Sequence, residues 1–188
     1  AGPELPFRPL EAGRAEVRLG ATAFRFDDDT TFDFVSIGDD VTEGYLQRGS
    51  VSIRVRQYRD NDFADRIRIE TADGRVFLES DGRYRIDVSP SGFDTRVVVF
   101  SGRARFEQRE TRLPIEAGKE LSVHGSGSGA LDIRFQPAGE NGFDRWAADR
   151  DARWDRAHVR AVRENTVSPY MTGYEDLDDY GDWIDDRE

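Results

Sequence analysis

The side chains in this sequence that could do chemistry are mostly carboxylates. Aspartates are clustered at Asp27-Asp28-Asp29, Asp39-Asp40, Asp60 with Asp62, and Asp178-Asp179. Two or more carboxylate oxygens at a fixed separation could serve glycoside hydrolysis or hold Ca²⁺. None of the clusters has the spacing of an EF-hand loop, and in a chain of net charge −11 such clusters are usually solvated turns. We therefore predict no metal site and keep a hydrolase with paired aspartates as the least favoured alternative.

Other catalytic groups are scarce in the sequence. Histidine occurs at His124 and His158, and cysteine is absent, which excludes thiolate nucleophiles, thiolate metal sites and disulfides. The run GSGSG at 125–129 places serine second and fourth, so it does not match the nucleophile motif G-x-S-x-G. A phosphate-binding Gly-Lys-Ser/Thr sequence is also missing. These observations predict a protein that is not an enzyme and uses no cofactor.

Arginines on the outward faces of predicted strands suggest a different chemistry. Guanidinium groups beside aromatic rings could bind an anionic glycan or another polymer. The alternative is that each arginine pairs with a neighbouring Asp or Glu across the strands, which the excess of acid favours. The same net negative charge argues against nucleic acid as a partner. The arginines concerned are Arg54, Arg56, Arg66, Arg68, Arg83 and Arg85.

The elements that must position these side chains are short strands. From Glu16 onward, Val, Ile, Phe, Leu and Tyr alternate with polar residues, which is typical of strands with one buried and one wet face. In 51–56, for example, Val51, Ile53 and Val55 are predicted to face inward, whereas Ser52, Arg54 and Arg56 are predicted to face outward. The breaks between runs lie roughly 8–12 residues apart, the spacing of a β-sandwich. We predict a mainly β fold of short antiparallel strands, arranged as a two-sheet sandwich or a solenoid-like stack.

Turn residues mark the predicted ends of these strands. Asp-Gly at 73–74 and at 81–82 is the signal for a type I′ hairpin, and Arg48-Gly49-Ser50 is a further predicted break. A parallel α/β architecture is excluded, because no segment of helical length lies between the strands.

The pattern changes after residue 139. Phe143, Trp146, Trp154 and other apolar residues recur at steps of three and four, which predicts one amphipathic helix over 140–166. Asn141 is a suitable cap, and Asp144 suits the first turn. We therefore divide the chain into a β-domain at 1–139, the helix at 140–166 and a tail at 167–188. The chain holds no apolar run near the ~20 residues of a membrane span.

The tail combines aromatic and acidic residues. It contains Tyr174, Leu177, Tyr180 and Trp183 among several aspartates and a glutamate. Such a segment cannot bury enough apolar area to fold alone, so its aromatic side chains must dock elsewhere. They either pack on this chain's own domain as a latch, or they form a docking strip for a partner. Self-docking is the favoured alternative.

The order of these pieces resembles the FecR-domain proteins. The match is carried by FDRWAADRD at 143–151, by VSPYMTGYEDLDDYGDW at 167–183, and by strand patterns such as LQRGSVSIRV and IEAGKEL. It resembles a Gram-negative branch with an FDRW helix and a tail similar to VSPxMTGYEDLDxYGxW. The resemblance extends from about Glu16 to Trp183. It implies an all-β, periplasmic or secreted domain that is used for protein contact, without the anti-sigma helical domain of the best-known members.

The predicted function is therefore a non-catalytic, signalling-associated or protein-interaction domain of the cell envelope. We expect one or more envelope proteins as partners and predict the contact at two aromatic sets, Tyr174, Leu177, Tyr180 and Trp183 in the tail and Trp146 and Trp154 on the helix. A carbohydrate- or polymer-binding module of the envelope is the alternative function.

Overall fold

The computed structural model describes residues 5–7, 13–38, 41–56, 67–125 and 131–164. In these ranges thirteen strands precede one helix, so the predicted mainly β fold with a C-terminal helix is confirmed. The elements are β1 Leu5–Phe7, β2 Ala15–Leu19, β3 Thr22–Phe26, β4 Thr31–Ile37, β5 Thr42–Val55, β6 Ile67–Thr71, β7 Gly74–Leu78, β8 Gly82–Val88, β9 Asp94–Ser101, β10 Arg103–Gln108, β11 Thr111–Glu116, β12 Lys119–Gly125, β13 Leu131–Pro137 and α1 Gly142–Glu164.

The strands form two layers that share β5. Sheet I has the order β1-β4-β5-β6-β7-β10-β11, and sheet II has the order β2-β3-β5-β8-β9-β12-β13. Neighbouring strands are antiparallel except for β5 and β6, which pair in parallel with Thr42 opposite Ile67. The expectation of purely antiparallel pairing was therefore wrong at this point. Because β5 ends in sheet II, the chain has to return to the beginning of β5 before β6 can join sheet I.

A kink at Gly49 lets β5 serve both sheets. Residues up to Arg48 pair with β4, whereas Gly49 and the residues after it pair with β8 and β3. Gly49 has φ 93, a region that favours glycine. The predicted break at Arg48-Gly49-Ser50 is thus a bend inside one strand of 14 residues and not a turn between two.

Hairpins after β5 alternate between the layers. The pairs β6–β7 and β10–β11 lie in sheet I, and β8–β9 and β12–β13 lie in sheet II. A hairpin forms at the first predicted site, but its two loop residues are Ala72 and Asp73, and Gly74 begins β7 opposite Thr71. Asp73 does not have the positive φ of the predicted type I′ turn.

Asp81-Gly82 forms no hairpin and joins β7 of sheet I to β8 of sheet II. The hydroxyl of Tyr84 stabilises this crossing, since it lies 2.7 Å from the carbonyl oxygen of Ser80 and 3.1 Å from that of Arg103. It thereby ties together two crossings between the sheets.

One apolar core fills the space between the two sheets. Phe24 and Phe26 from β3 meet Phe32 and Phe34 from β4 with ring centroids 5.0–6.5 Å apart, mostly edge-on or tilted. β-branched residues from both sheets complete the cluster, as the composition predicts. No residue of α1 belongs to this core cluster in the described part of the chain. The helix therefore packs outside the sandwich.

We predict that Gly49→Ala destabilises the fold by about 3 kcal/mol or more, because a Cβ there would lie 2.5 Å from the Cα of Thr30 while φ stays at 93. Gly20→Ala is the matched control: Gly20 also has positive φ, but nothing lies within 4 Å of its Cβ position, so a loss of about 1 kcal/mol is expected. Urea unfolding measures both changes, and equal losses would contradict the role of the kink.

Candidate interaction surface

The outer face of sheet II carries an ordered row of polar side chains. Strand register places Glu16 opposite Arg25, Arg25 opposite Ser52, and Ser52 opposite Arg85. Period-two alternation makes this row face away from the core, because its chain neighbours point inward. The row is nevertheless buried, with Arg25 0%, Ser52 2% and Arg85 2% exposed. We call Arg25, Arg56 and Arg85 the arginine face.

Helix α1 is what covers the arginine face. Its start is fixed by Asn141, whose Oδ1 accepts hydrogen bonds from the backbone N–H of Phe143 and of Asp144 at 2.9 and 3.0 Å. Asp144 Oδ2 in turn accepts the N–H of Asn141 at 2.8 Å. This reciprocal arrangement is a capping box, and it confirms Asn141 as the predicted cap. Buried residues on the sheet side of the helix include Phe143, Ala147 and Trp154.

Carboxylates from the helix neutralise the arginine face at one end of the row. Asp151 Oδ1 lies 2.9 Å from Arg25 Nη2 and 2.8 Å from Arg56 Nη2. Asp155 accepts a hydrogen bond from Arg56 Nε at 2.9 Å, and Glu16 Oε2 accepts one from Arg25 Nε at 2.7 Å. One helix carboxylate therefore bridges two buried guanidinium groups.

A second cluster of charges lies about two turns closer to the start of the helix. Arg85 donates through Nη1 to Asp144, seven residues before Asp151, and through Nε to Asp87 at 3.0 Å. Seven residues are about two helical turns, so Asp144 and Asp151 share one side of α1. Arg150 closes the network by donating to Glu16 at 2.8 Å. The helix is consequently held at two points by charge.

Aromatic rings of the helix lie against arginine side chains. The Arg56 guanidinium carbon is 4.3 Å from the Trp154 ring centroid, and His158 stacks on Trp154 with centroids 4.7 Å apart. The Trp146 ring centroid lies 5.3 Å from the guanidinium carbon of Arg14 and 5.0 Å from that of Arg150. Cation–π contacts of this kind supplement the ion pairs.

The network shifts the pKa values of two carboxyl groups in opposite directions. Burial by itself raises the pKa of Glu16, but Arg25, with help from Arg18 and Arg150, outweighs it and lowers that pKa from 4.5 to about 2. Burial is the main cause that raises the pKa of Asp144, against hydrogen bonding from Asn141 and the charge of Arg85. The ionised form of Glu16 is therefore stabilised in the folded chain, whereas burial destabilises the ionised form of Asp144.

The predicted contact residues fall into two groups. Trp154 is 7% exposed and packs on the sheet, while Trp146 is half-buried. Tyr174, Leu177, Tyr180 and Trp183 lie outside the described residues. The contact residues therefore remain a prediction.

The acidic side of the interface was not found from the sequence. The sequence pattern predicts Asp144 only as a first-turn residue of the helix, and it predicts no separate role for Asp151. The seven-residue spacing of Asp144 and Asp151 in FDRWAADRD was the signal that could have identified them as a pair facing one surface.

Several arginines on the outward faces of strands pair with acids of this chain. Besides Arg56 and Arg85, Arg68 lies 2.5 Å from Glu43 on the neighbouring strand, and Arg83 pairs with Glu140. Arg66 lies outside the described residues. The pairing alternative is therefore the one found at these positions, and part of the pairing comes from the helix and not from a neighbouring strand.

His124 occupies an exposed position at the far end of sheet II. Its Nδ1 lies 2.7 Å from Asp94 Oδ1, and both side chains are 48% exposed at the edge of an open cleft of about 700 Å³. Asp73, nearby, is buried and accepts a hydrogen bond from Thr95 at 2.7 Å. In the described part of the chain no cluster of three or more His, Cys, Asp or Glu is arranged to hold a metal. Nor does the described part contain a helix long and apolar enough to cross a bilayer.

Comparison with known proteins shows the fold. No family model matches the chain, and no curated protein matches it significantly. Two crystal structures of a "putative anti-sigma factor" from Parabacteroides distasonis are similar, each with TM-score 0.58, at 14% and 13% identity. The matches cover 72% and 71% of this chain and 61% of each solved chain. This chain thus spans less than two thirds of the length of those proteins.

We predict that Asp151→Asn weakens the docking of the helix on the sheet by about 3 kcal/mol, because Arg25 and Arg56 stay buried without their shared carboxylate. Asp149→Asn is the control, since Asp149 is exposed on the same helix. Tryptophan fluorescence during urea unfolding reports mainly on the helix, because two of the three tryptophans, Trp146 and Trp154, belong to it. Similar midpoints for the two variants would contradict the bridging role of Asp151.

The Glu16 pair predicts a pH dependence of stability. Because the pKa of Glu16 is about 2 in the folded chain against 4.5 ordinarily, its contribution is complete above pH 4.5 and is lost as the pH falls towards 2. The difference in unfolding free energy between wild type and Glu16→Gln should therefore shrink over this window. Glu110→Gln, at an exposed glutamate, should show no such change. A constant difference for Glu16→Gln would show that its carboxylate is not held by charge.

Proposed function

We propose that this chain is a FecR-like domain of the cell envelope, periplasmic or secreted, that makes protein contacts in a signalling-associated assembly and performs no catalysis. The observation that supports this most directly is the docking of α1 on the arginine face. Three buried guanidinium groups pair with carboxylates of an amphipathic helix. The same contacts would allow a sheet face to bind a helix of another protein.

The fold supports the same class of function. The structurally similar proteins are described as putative anti-sigma factors, which act through protein partners, and this chain shares their fold. Regulation of a sigma factor is not part of the proposal, because the likeness covers 61% of each of those chains and shows the fold alone. The proposal is the broader class of envelope protein contact.

The glycan alternative is weaker at the arginine face. A glycan would need free guanidinium groups and rings on a sheet face. Arg56 and Arg85 instead contact carboxylates of α1, and Trp154 is buried on the side of the helix that faces the sheet. We retain the tail residues Tyr174, Leu177, Tyr180 and Trp183, together with Trp146, as the proposed contact set for a partner.

A pull-down from solubilised envelope tests the proposal. We expect the full chain to recover a defined partner that binds saturably when purified, and a chain that ends after Asn165 to lose it. A full-length chain with serine at 174, 177, 180 and 183 is the matched control, and it should also lose the partner.

Two outcomes would change the assignment. Equal recovery by the full and shortened chains would place the contact outside the tail. No saturable partner, together with a rise in melting temperature on adding envelope glycans, would contradict the protein-contact function and favour the carbohydrate-binding alternative.

A further inference from the structure

The sandwich is complete without the helix. The core cluster between the sheets is built from strand residues, and among the described residues none of its members belongs to α1. Beneath the helix lie Arg25, Ser52 and Arg85, which are polar and can be hydrated. Removal of α1 would therefore uncover a charged sheet face and leave the apolar core closed.

The arginine face has donors that α1 does not use. Among the described residues, Arg25 Nη1 and Nη2 and Arg56 Nη1 are buried without a hydrogen-bond partner, although Arg25 Nη2 lies 2.9 Å from Asp151 Oδ1 as an ion pair. On the carboxylate side, Asp144 Oδ1 and Asp87 Oδ1 are also buried without a hydrogen-bond partner, so unpaired donors outnumber unpaired acceptors at this interface. Each guanidinium has five N–H donors, and a buried donor left unpaired costs stability. The face therefore has room for at least one more acceptor than α1 supplies.

One position on the sheet side of the helix lacks a carboxylate. Residues 144, 148, 151 and 155 follow steps of four, three and four, so they form one stripe along the helix. Asp144, Asp151 and Asp155 of this stripe contact the arginine face, but the remaining position is Ala148. A helix with a carboxylate at all four positions would complement the arginine face better than α1 does.

The connection to the helix is short, and it is held at its beginning, where the backbone N–H of Ala138 donates to the carbonyl oxygen of Gly118 at 2.9 Å. Between β13 and the cap at Asn141 lie Ala138, Gly139 and Glu140, and nothing lies within 4 Å of a Cβ placed on Gly139. Glu140 is held by its pair with Arg83, and its side chain is 50% exposed. Phe143 and Trp154 are buried while the helix is docked and would become accessible after its release.

We propose that the arginine face of sheet II is a docking site for an acidic amphipathic helix of a partner protein, and that α1 covers this site until the partner displaces it. The partner helix carries carboxylates at positions i, i+4, i+7 and i+11. The proposal rests on the proposed function and specifies one recognition surface for it. A second copy of this chain is the less suitable occupant, because its α1 also has alanine at position 148.

Competition with α1 determines how the site must be tested. A tethered helix acts at an effective concentration of the order of millimolar or higher, so binding of a free helix to the wild-type chain is weak. Asp151→Asn in the full chain weakens the tethered helix and leaves the arginine face intact. Asp149→Asn again serves as the control, since its side chain is exposed.

The probes are labelled peptides of residues 140–166, one with the natural sequence and one with Ala148→Glu. We expect fluorescence anisotropy to show that the natural peptide binds the Asp151→Asn chain at least about tenfold more tightly than the wild-type or Asp149→Asn chain. The Ala148→Glu peptide should bind the Asp151→Asn chain more tightly again, by about fivefold. A peptide with asparagine at 144, 151 and 155 should not bind.

Substitutions in the arginine face complete the test. The double variant Arg25→Gln/Asp151→Asn should no longer bind the peptide. If circular dichroism shows that this variant does not fold, the double variant Arg56→Gln/Asp151→Asn is used in its place. Failure of the natural peptide to bind the Asp151→Asn chain, or binding that survives loss of the arginine, would overturn the proposal. Equal affinity of the two peptides would overturn the four-carboxylate pattern. Dimerisation of the Asp151→Asn chain, measured by light scattering, would assign the face to a second copy.

The outcome is separable from that of the proposed function. An envelope partner recovered through the tail, with no peptide bound at the arginine face, would leave the protein-contact function in place and remove only this site.

Discussion

The contact between buried arginines and the carboxylates of α1 is the constraint on which the outer architecture of the molecule depends. Arg25 is fully buried on the outer face of sheet II, where an unpaired charge would be strongly destabilising. Asp151 offsets part of that cost for Arg25 and Arg56 together, and Asp144 does the same for Arg85. Because the two carboxylates lie seven residues apart, they determine the position of the helix along the sheet as well as its rotation.

The molecule therefore has two kinds of stabilising layer. Between the sheets, phenylalanines and β-branched residues bury apolar area, which is the dominant favourable term in folding. Outside sheet II, the helix is attached by the buried side chains of Phe143, Ala147, Trp154 and Ala157 together with ion pairs and cation–π contacts. The ion pairs contribute specificity of position more than net stability. β5 joins the layers, because its kink at Gly49 places one half of the strand in each sheet. The interior is thus independent of the helix, and the helix interface can serve recognition.

Particular residues show what the sequence could predict and what it could not. Alternation at Val51, Ile53 and Val55 identified the core face of a strand, and Asn141 identified the start of the helix. The turn signals at Gly49 and at Asp81-Gly82 were misleading, since local turn chemistry does not say which sheet the next strand joins. Ser52 was expected to face solvent and is buried, because the covering helix lies about ninety residues away in sequence and its docking is a tertiary effect.

Hydrogen exchange of the wild-type chain, resolved by peptide and followed at increasing urea, measures the separation of these two layers directly. If charge holds α1 on a sandwich that is already complete, amides in 142–159 should open at a clearly lower free energy than those of β5, β8 and β9, and the difference should widen in high salt, because screening weakens the pairs that hold the helix. A single opening free energy shared by the helix and these strands would contradict the central claim, because it would make the helix part of the folding core.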